Sequence, residues 1–347
     1  MTELDRLRRD CAIAGKTWNR SFSALLLSTL RSHGGAVLDR LWAALLLSHQ
    51  DMYFVSSLQK LGIASDPPAV AAAKYHYFSN SLGGLGMEYV EENSRKVWIR
   101  YLAPAWTYPG TALAALPLGV RRTVFSTWHP RNGELMGCRR LGWVCTKLLD
   151  EGDPYDEGYF IEHDRDLEPR ERARFEVCET TPEYDPAKAP RLDPKVWPEE
   201  RLLKANRNYA GEYVRDTIDR LYAIIGQHPT HALVAHAMRV LAAQYTHEIA
   251  ADLAITDRSV DGVARLYAEL LRCSGHEVVW HEPRTKVRQL RLVGLKPFPA
   301  PCEDLRRALF ECQVVGSRIL NGRLRVSRER HDPREVWTFE DTGRWLW

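Results

Sequence analysis

Apolar residues recur three and four apart along 20–82, beginning "SFSALLLSTLRSHGGAVLDRLWAALLLSHQDMYFVSSLQKLGI", and this period predicts helices interrupted at Gly34 and Gly35. After Gly83, Gly84 and Gly86 the pattern changes: "MEYVEEN" and "KVWIRYL" read as strands, a helical stretch follows near 111–126, and "RRLGWVCTKLL" and "EGYFIEH" read as strands again. The order then returns. Helical patterns fill 198–226, 229–254 and 258–272, "HEVVWHE" and "KVRQLRL" follow as strands, a helix covers 303–319, and "GRLRVSR" and "EVWTFED" close the chain as strands. The fold class this predicts is α+β, a unit of helices, two strands, helix and two strands occurring twice.

The two halves also align residue by residue. "EYVEENSRKVWIRYLAPAWTYP" lies over "VVWHEPRTKVRQLRLVGLKPFP", matching Glu92 with Glu282, Glu91 with His281, Lys96 and Val97 with Lys286 and Val287, and Pro109 with Pro299. Asp153-Pro154 matches Asp332-Pro333, and Phe160 matches Phe339. Several anchors in one order predict a tandem duplication with the copies around a pseudo-two-fold axis. The expected boundaries are a first copy over 1–165, a charged, proline-rich linker or strap over 166–197, and a second copy over 198–347.

Composition narrows the function classes. The chain has 347 residues, and 45 % hydrophobic with 10 % aromatic residues is enough for a proper core. Lys and Arg total 48 against 45 acidic residues, with neither sign gathered into a long block, so a nucleic-acid partner is not expected. The start "MTELDRLRRD" is charged where a signal peptide needs an apolar run, and no stretch reaches about 18 consecutive apolar residues; a cytoplasmic protein without membrane partners is expected. Seven scattered cysteines without a C-x-x-C pair read as reduced thiols. In "THEIAAD" Ala251 stands where a zinc helix needs its second His, and "SLGGLGM" precedes a strand where a dinucleotide loop follows one. No metal and no cofactor are expected.

The candidate site centres on "GDPYDEGYF". Asp-Pro is a turn signal shared with "HDPREVWTF", but Gly152, Tyr155 and Asp156 face His331, Arg334 and Glu335 in the second copy, which leaves a polar cluster peculiar to the first. Asp153 or Asp156 is the candidate general base. His129 in "FSTWHPRNGE" is the candidate polarising group, and Trp128, Trp143 and Tyr155 the walls of a slot for a flat ligand. Cys145 shares a strand face with Trp143 and is a candidate nucleophile or a structural thiol. Glu91 and His281, on charged strands, form a candidate acid–base pair between copies, against the plainer account of solvent-facing edge charge.

The segment "GCRRLGWVCTKLLDEGDPYDEGYF" resembles the C-terminal part of the L-2-amino-thiazoline-4-carboxylic acid hydrolase-like families and, more distantly, the 4-vinyl-reductase ligand-binding domains, both of which usually carry Cys where this chain has Asp156. The length and duplicated plan also resemble the 2-nitroimidazole nitrohydrolases. The resemblance implies a cofactor-independent hydrolase that adds water at C2 of a small planar five-membered nitrogen heterocycle, in which a base and donors to the ring nitrogen suffice. The rival expectation is a non-catalytic small-molecule binding or sensor protein, and a homodimer is the expected self-association.

Overall fold

The computed structural model describes residues 2–103, 119–178, 180–294, 296–298, 302–331 and 333–346. Helices α1 (Glu3–His33), α2 (Gly35–Lys60) and α3 (Pro68–Leu82) precede strands β1 (Met87–Asn93) and β2 (Lys96–Leu102). Helix α4 (Val120–Thr127) and the short α5 (Asn132–Leu135) lead to β3 (Leu141–Lys147), β4 (Tyr155–Glu162) and β5 (Ala173–Phe175). The second series is α6 (Glu199–Ile225), α7 (Gln227–Asp252), α8 (Val260–Cys273), β6 (Val278–Arg284), β7 (Val287–Val293), α9 (Glu303–Leu320), β8 (Leu324–His331) and β9 (Arg334–Asp341). The chain is α+β, with helices, hairpin, helix and hairpin following one another twice. Residues 111–118 of the expected middle helix, the Pro109–Pro299 match and Asp332 lie outside the described residues.

Local chemistry accounts for the breaks. Gly34 and Gly226 both hold positive φ (82° and 86°), a conformation that costs other residues, and each separates two long helices. Pro68 begins α3, where a missing N–H costs nothing, and the Ser259 hydroxyl caps α8 by accepting from Gly262 N.

The compact units do not follow the sequence boundaries. One unit, here the central unit, is His33–Leu202; the other, the flanking unit, joins Met1–Ser32 to Leu203–Trp347. The expected division at 166–197 is therefore corrected in two respects. Helix α1 belongs with the later half, because Ile13 and Ala14 pack with Cys273, Leu253 and Leu270, while Lys16 and Arg20 pair with Glu248. The charged segment is part of the central unit: β5 adds to its sheet, and Arg100 Nη2 donates to the Pro182 carbonyl at 2.6 Å. It is a strap on the central unit.

The central sheet has the order β1-β2-β4-β3-β5, antiparallel except for the parallel β3–β5 pair. The flanking sheet has the order β6-β7-β9-β8 and is antiparallel throughout. Helix α3 lies against β1, β2 and β4, and α8 against β6, β7 and β9, so each sheet buries one face under a helix. Strand pairing corrects the alignment by one position. With Phe160 and Phe339 as anchors, Ile99 pairs with Gly158 where Leu290 pairs with Trp337, and Tyr89 pairs with Ile99 where Trp280 pairs with Leu290. Glu91 therefore corresponds to Glu282 rather than His281, a slip that moves a side chain to the other sheet face.

No helix among the described residues is long and apolar enough to cross a membrane.

Candidate functional site

In the central unit the sequence candidates come together, but as core. His129 is buried, its Nε2 2.8 Å from Tyr101 Oη, and its ring stacks between His76 and Trp143 at 4.2 Å centroid distance on each side. Phe125 and Phe160 close the stack. These are van der Waals separations, so no flat ligand fits between the rings. Trp128 is fully buried, and its carbonyl accepts from Gln50 Nε2, which also donates to Asn132 Oδ1, while Asn132 Nδ2 donates to His76 Nε2. Burial pushes the imidazoles far down, His49 to about 4 and His76 to about 3, with His129 also well below its ordinary value. All three are neutral.

The strand-end carboxylates are equally committed. Alternation along β4 sends Asp156, Gly158 and Phe160 to the helix face and Tyr155, Glu157 and Tyr159 to the other. Asp156 is wholly buried; Oδ2 accepts from Arg121 Nη1 at 2.5 Å and Oδ1 from Leu149 N at 2.8 Å. Burial pushes its carboxyl up to about 6 against the pull of Arg121. Asp153 Oδ2 accepts from Leu148 N at 2.8 Å and closes the turn. Tyr155 lies under Arg100 and Lys147, with Lys147 Nζ 3.3 Å from its hydroxyl. Beside it stands a network sequence reasoning missed: buried Glu157 accepts from Arg100 Nε at 2.6 Å and Thr146 Oγ1 at 2.9 Å and pairs with Lys147. Glu91 accepts from Tyr89 Oη at 2.7 Å. It lies on an edge strand of the central unit, and exposed His281 on an edge strand of the flanking unit.

The expected peculiarity of the first copy does not hold in structure. In the flanking unit Glu335 is buried and ion-paired to Arg306 of α9, as Asp156 is to Arg121 of α4. A helix arginine buried on a strand carboxylate recurs, which marks the pair as part of the scaffold.

The flanking unit differs in what surrounds that pair. Its core contains a cavity of about 80 Å³ walled by apolar side chains including Trp18, Leu241, Leu309, Phe310 and Trp337. Arg306, Arg328, Glu335, Tyr267, Cys312 and Gln313 supply its polar wall. A volume exchange between diagonal neighbours on adjacent strands separates the two cores. Trp143 lies across the Gly158 position so closely that a Cβ there would meet the indole at 2.4 Å, whereas the same strand positions in the flanking unit hold Val326 and Trp337. At the spacing from the helix arginine where the central unit has Trp128, the flanking unit has Gln313, and where it has Cys145, paired with Gly158, the flanking unit has Arg328, paired with Trp337. Rings fill the central space and leave the flanking space open.

The seven cysteines are free thiols. Burial pushes Cys145 strongly up and Cys312 up to about 12, which removes both as nucleophiles near neutral pH. Cys302, which sequence reasoning passed over, is exposed at the N-cap of α9 with Sγ 3.6 Å from His231 Nε2. Iodoacetamide at pH 8 should alkylate Cys302 first and leave Cys145 unmodified in the folded protein, as read by peptide mass mapping; labelling of Cys145 at a comparable rate would contradict this burial. Among the described residues no group of three or more His, Cys, Asp or Glu side chains is arranged to hold a metal ion.

No family model matches the chain, no curated protein matches it, and no solved structure matches it.

Proposed function

We propose that the protein binds a small, largely apolar molecule in the cavity of its flanking unit, which makes it a ligand-binding protein of the non-catalytic kind. The observation that carries this reading is the contrast between the cores: a largely apolar space lined in part by buried polar groups in the flanking unit, and a ring-filled equivalent in the central unit. Open volume inside a core costs dispersion contacts, so a retained cavity is favoured by something that occupies it. Hydrolysis of a heterocycle at Asp153, Asp156 and His129 has less support, because Asp156 and His129 are buried and hydrogen-bonded within the packed core, and Asp153, half-buried beside a hollow of about 170 Å³, spends Oδ2 on the Leu148 N–H that closes its turn. We also read the units as tandem copies of one ancestor. The shared strand order and the recurring helix arginine with its strand carboxylate support this.

The test is ligand-observed NMR with benzene, indole and 2-nitroimidazole, run with nitrite and ammonia assays on 2-nitroimidazole and aminothiazoline carboxylate. Benzene should bind, and Leu241→Phe, which fills the cavity wall, should weaken that binding at least tenfold. Both heterocycles should be recovered intact. Release of nitrite or ammonia would replace the binding reading with the hydrolytic one, and absence of any binding difference between the native protein and Leu241→Phe would remove the cavity as the site.

A further inference from the structure

Three cationic features converge on this cavity. The side chains of Arg306, Arg328 and Glu335 are 3 %, 6 % and 1 % exposed, so two guanidinium groups and one carboxylate are buried on one wall. Glu335 is engaged by Arg306, while Arg328 Nη1 lies 3.6 Å from Glu335 Oε1, too far for a hydrogen bond, and has no hydrogen-bond partner among the described residues. Arg328 Nη2 is held by Glu303, whose side chain is about half exposed, at 2.5 Å. The fork of Arg328 is thus fixed at one nitrogen and open at the other.

The approach carries the same sign. A hollow of about 380 Å³ shares Trp18, Ser274 and Lys296 with the cavity and is lined also by Arg207, Arg215 and Glu212. His276 on the cavity wall adds no base. Its Nδ1 lies 3.1 Å from the Leu271 carbonyl and its Nε2 accepts from Lys296 N at 2.9 Å, so both ring nitrogens are occupied and the imidazole is neutral. Gln313 Oε1, buried on the same wall, lacks a hydrogen-bond partner among the described residues. The central unit, which packs rings where the flanking unit has this cavity, has Cys145 at the strand position of Arg328.

Resting on the binding reading above, we propose that the ligand is a small organic anion, a monocarboxylate with a compact apolar body, whose carboxylate pairs with Arg328 Nη1 while its body fills the space between Trp18, Leu241, Phe310 and Trp337. A buried guanidinium N–H without a hydrogen-bond acceptor is costly, and a carboxylate supplies that acceptor in a charge-assisted pair. The cationic hollow raises the local concentration of anions.

Calorimetric titration of the full chain with butyrate and benzoate, each against its neutral primary amide, tests this. Each carboxylate should bind at least tenfold tighter than its amide, and added salt should reduce the difference. Arg328→Met should abolish the preference, while Arg328→Lys should restore part of it. Equal affinity for acid and amide would overturn the anion proposal with the cavity reading intact, provided benzene still binds. Failure of benzene as well would sink both. Should Arg328→Met not fold, the acid–amide comparison on the native protein decides alone.

Discussion

Lowering the pH from 7 to 5 should loosen the central unit by on the order of 3 kcal/mol or more, because its core holds three neutral imidazoles that the unfolded chain would protonate. A histidine whose folded pKa is depressed binds its proton more readily when unfolded, so stability is fully present above about 6.5 and is lost as pH falls below it. The loss runs down to about 4 for His49 and about 3 for His76, and His129 acts in the same direction. His49 and His76 each contribute on the order of 2 kcal/mol between pH 7 and 5. Asp156 acts oppositely: its folded pKa is raised to about 6, so its contribution is greatest below the ordinary carboxylate value and is lost as pH rises through about 6, which offsets roughly 1 kcal/mol of the histidine effect. Hydrogen exchange of peptides from β2, β3 and β4, corrected for the intrinsic pH dependence of exchange, reads the change locally. Protection that is equal at pH 7 and pH 5 would mean that water reaches these rings.

What the sequence made legible follows from the range of the forces involved. The order of helices and hairpins was readable because 3.6- and 2-residue periods are local, and Gly34 and Gly226 punctuate them. The hairpin register was missed by one position over its whole length, since matching by identity sets Glu92 and Lys96 on Glu282 and Lys286, whereas the strands and the Ser94–Arg95 and Thr285–Lys286 turns all correspond one residue further on. The amphipathic face of α1 announces burial but not its partner, and Cys273 and Leu253 lie far along the chain. The misplacement of the site has the same origin. Asp156 reads as a free strand-end carboxylate until Arg121 is seen folded onto it, and Glu335 reads as a decayed copy until Arg306 is seen doing the same. The cavity leaves almost no linear trace. It results from an exchange of bulk between Trp143 with Gly158 and Val326 with Trp337, a sum over facing strands that no window of sequence contains.

Arg121→Met should destabilise the central unit by about 3–5 kcal/mol at pH 8, the cost of leaving a buried carboxylate without its counter-ion. Asp156 would then keep the Leu149 N–H at 2.8 Å, in a site with no exposure. The defect should shrink on acidification. Arg121 is the leading influence holding the Asp156 pKa down against burial, so its removal raises that pKa further, and the neutral acid is tolerated where the carboxylate is not. The difference between variant and native protein at each pH isolates this from the histidine effect, which both share. Arg121→Met combined with Asp156→Leu should recover most of the loss, since an apolar pair of similar volume replaces a buried ion pair at little cost. Hydrogen exchange of the α4 and β4 peptides at pH 8 and 5.5 gives the measurement. Arg306→Met should act on β9 in the same way, Glu335 taking the place of Asp156. A catalytic base behaves differently: Asp156→Asn would leave the fold in place and cut turnover of a heterocycle by on the order of 10²-fold. That outcome, together with an Arg121→Met variant as stable as the native protein, would return Asp156 to chemistry and remove it from the scaffold.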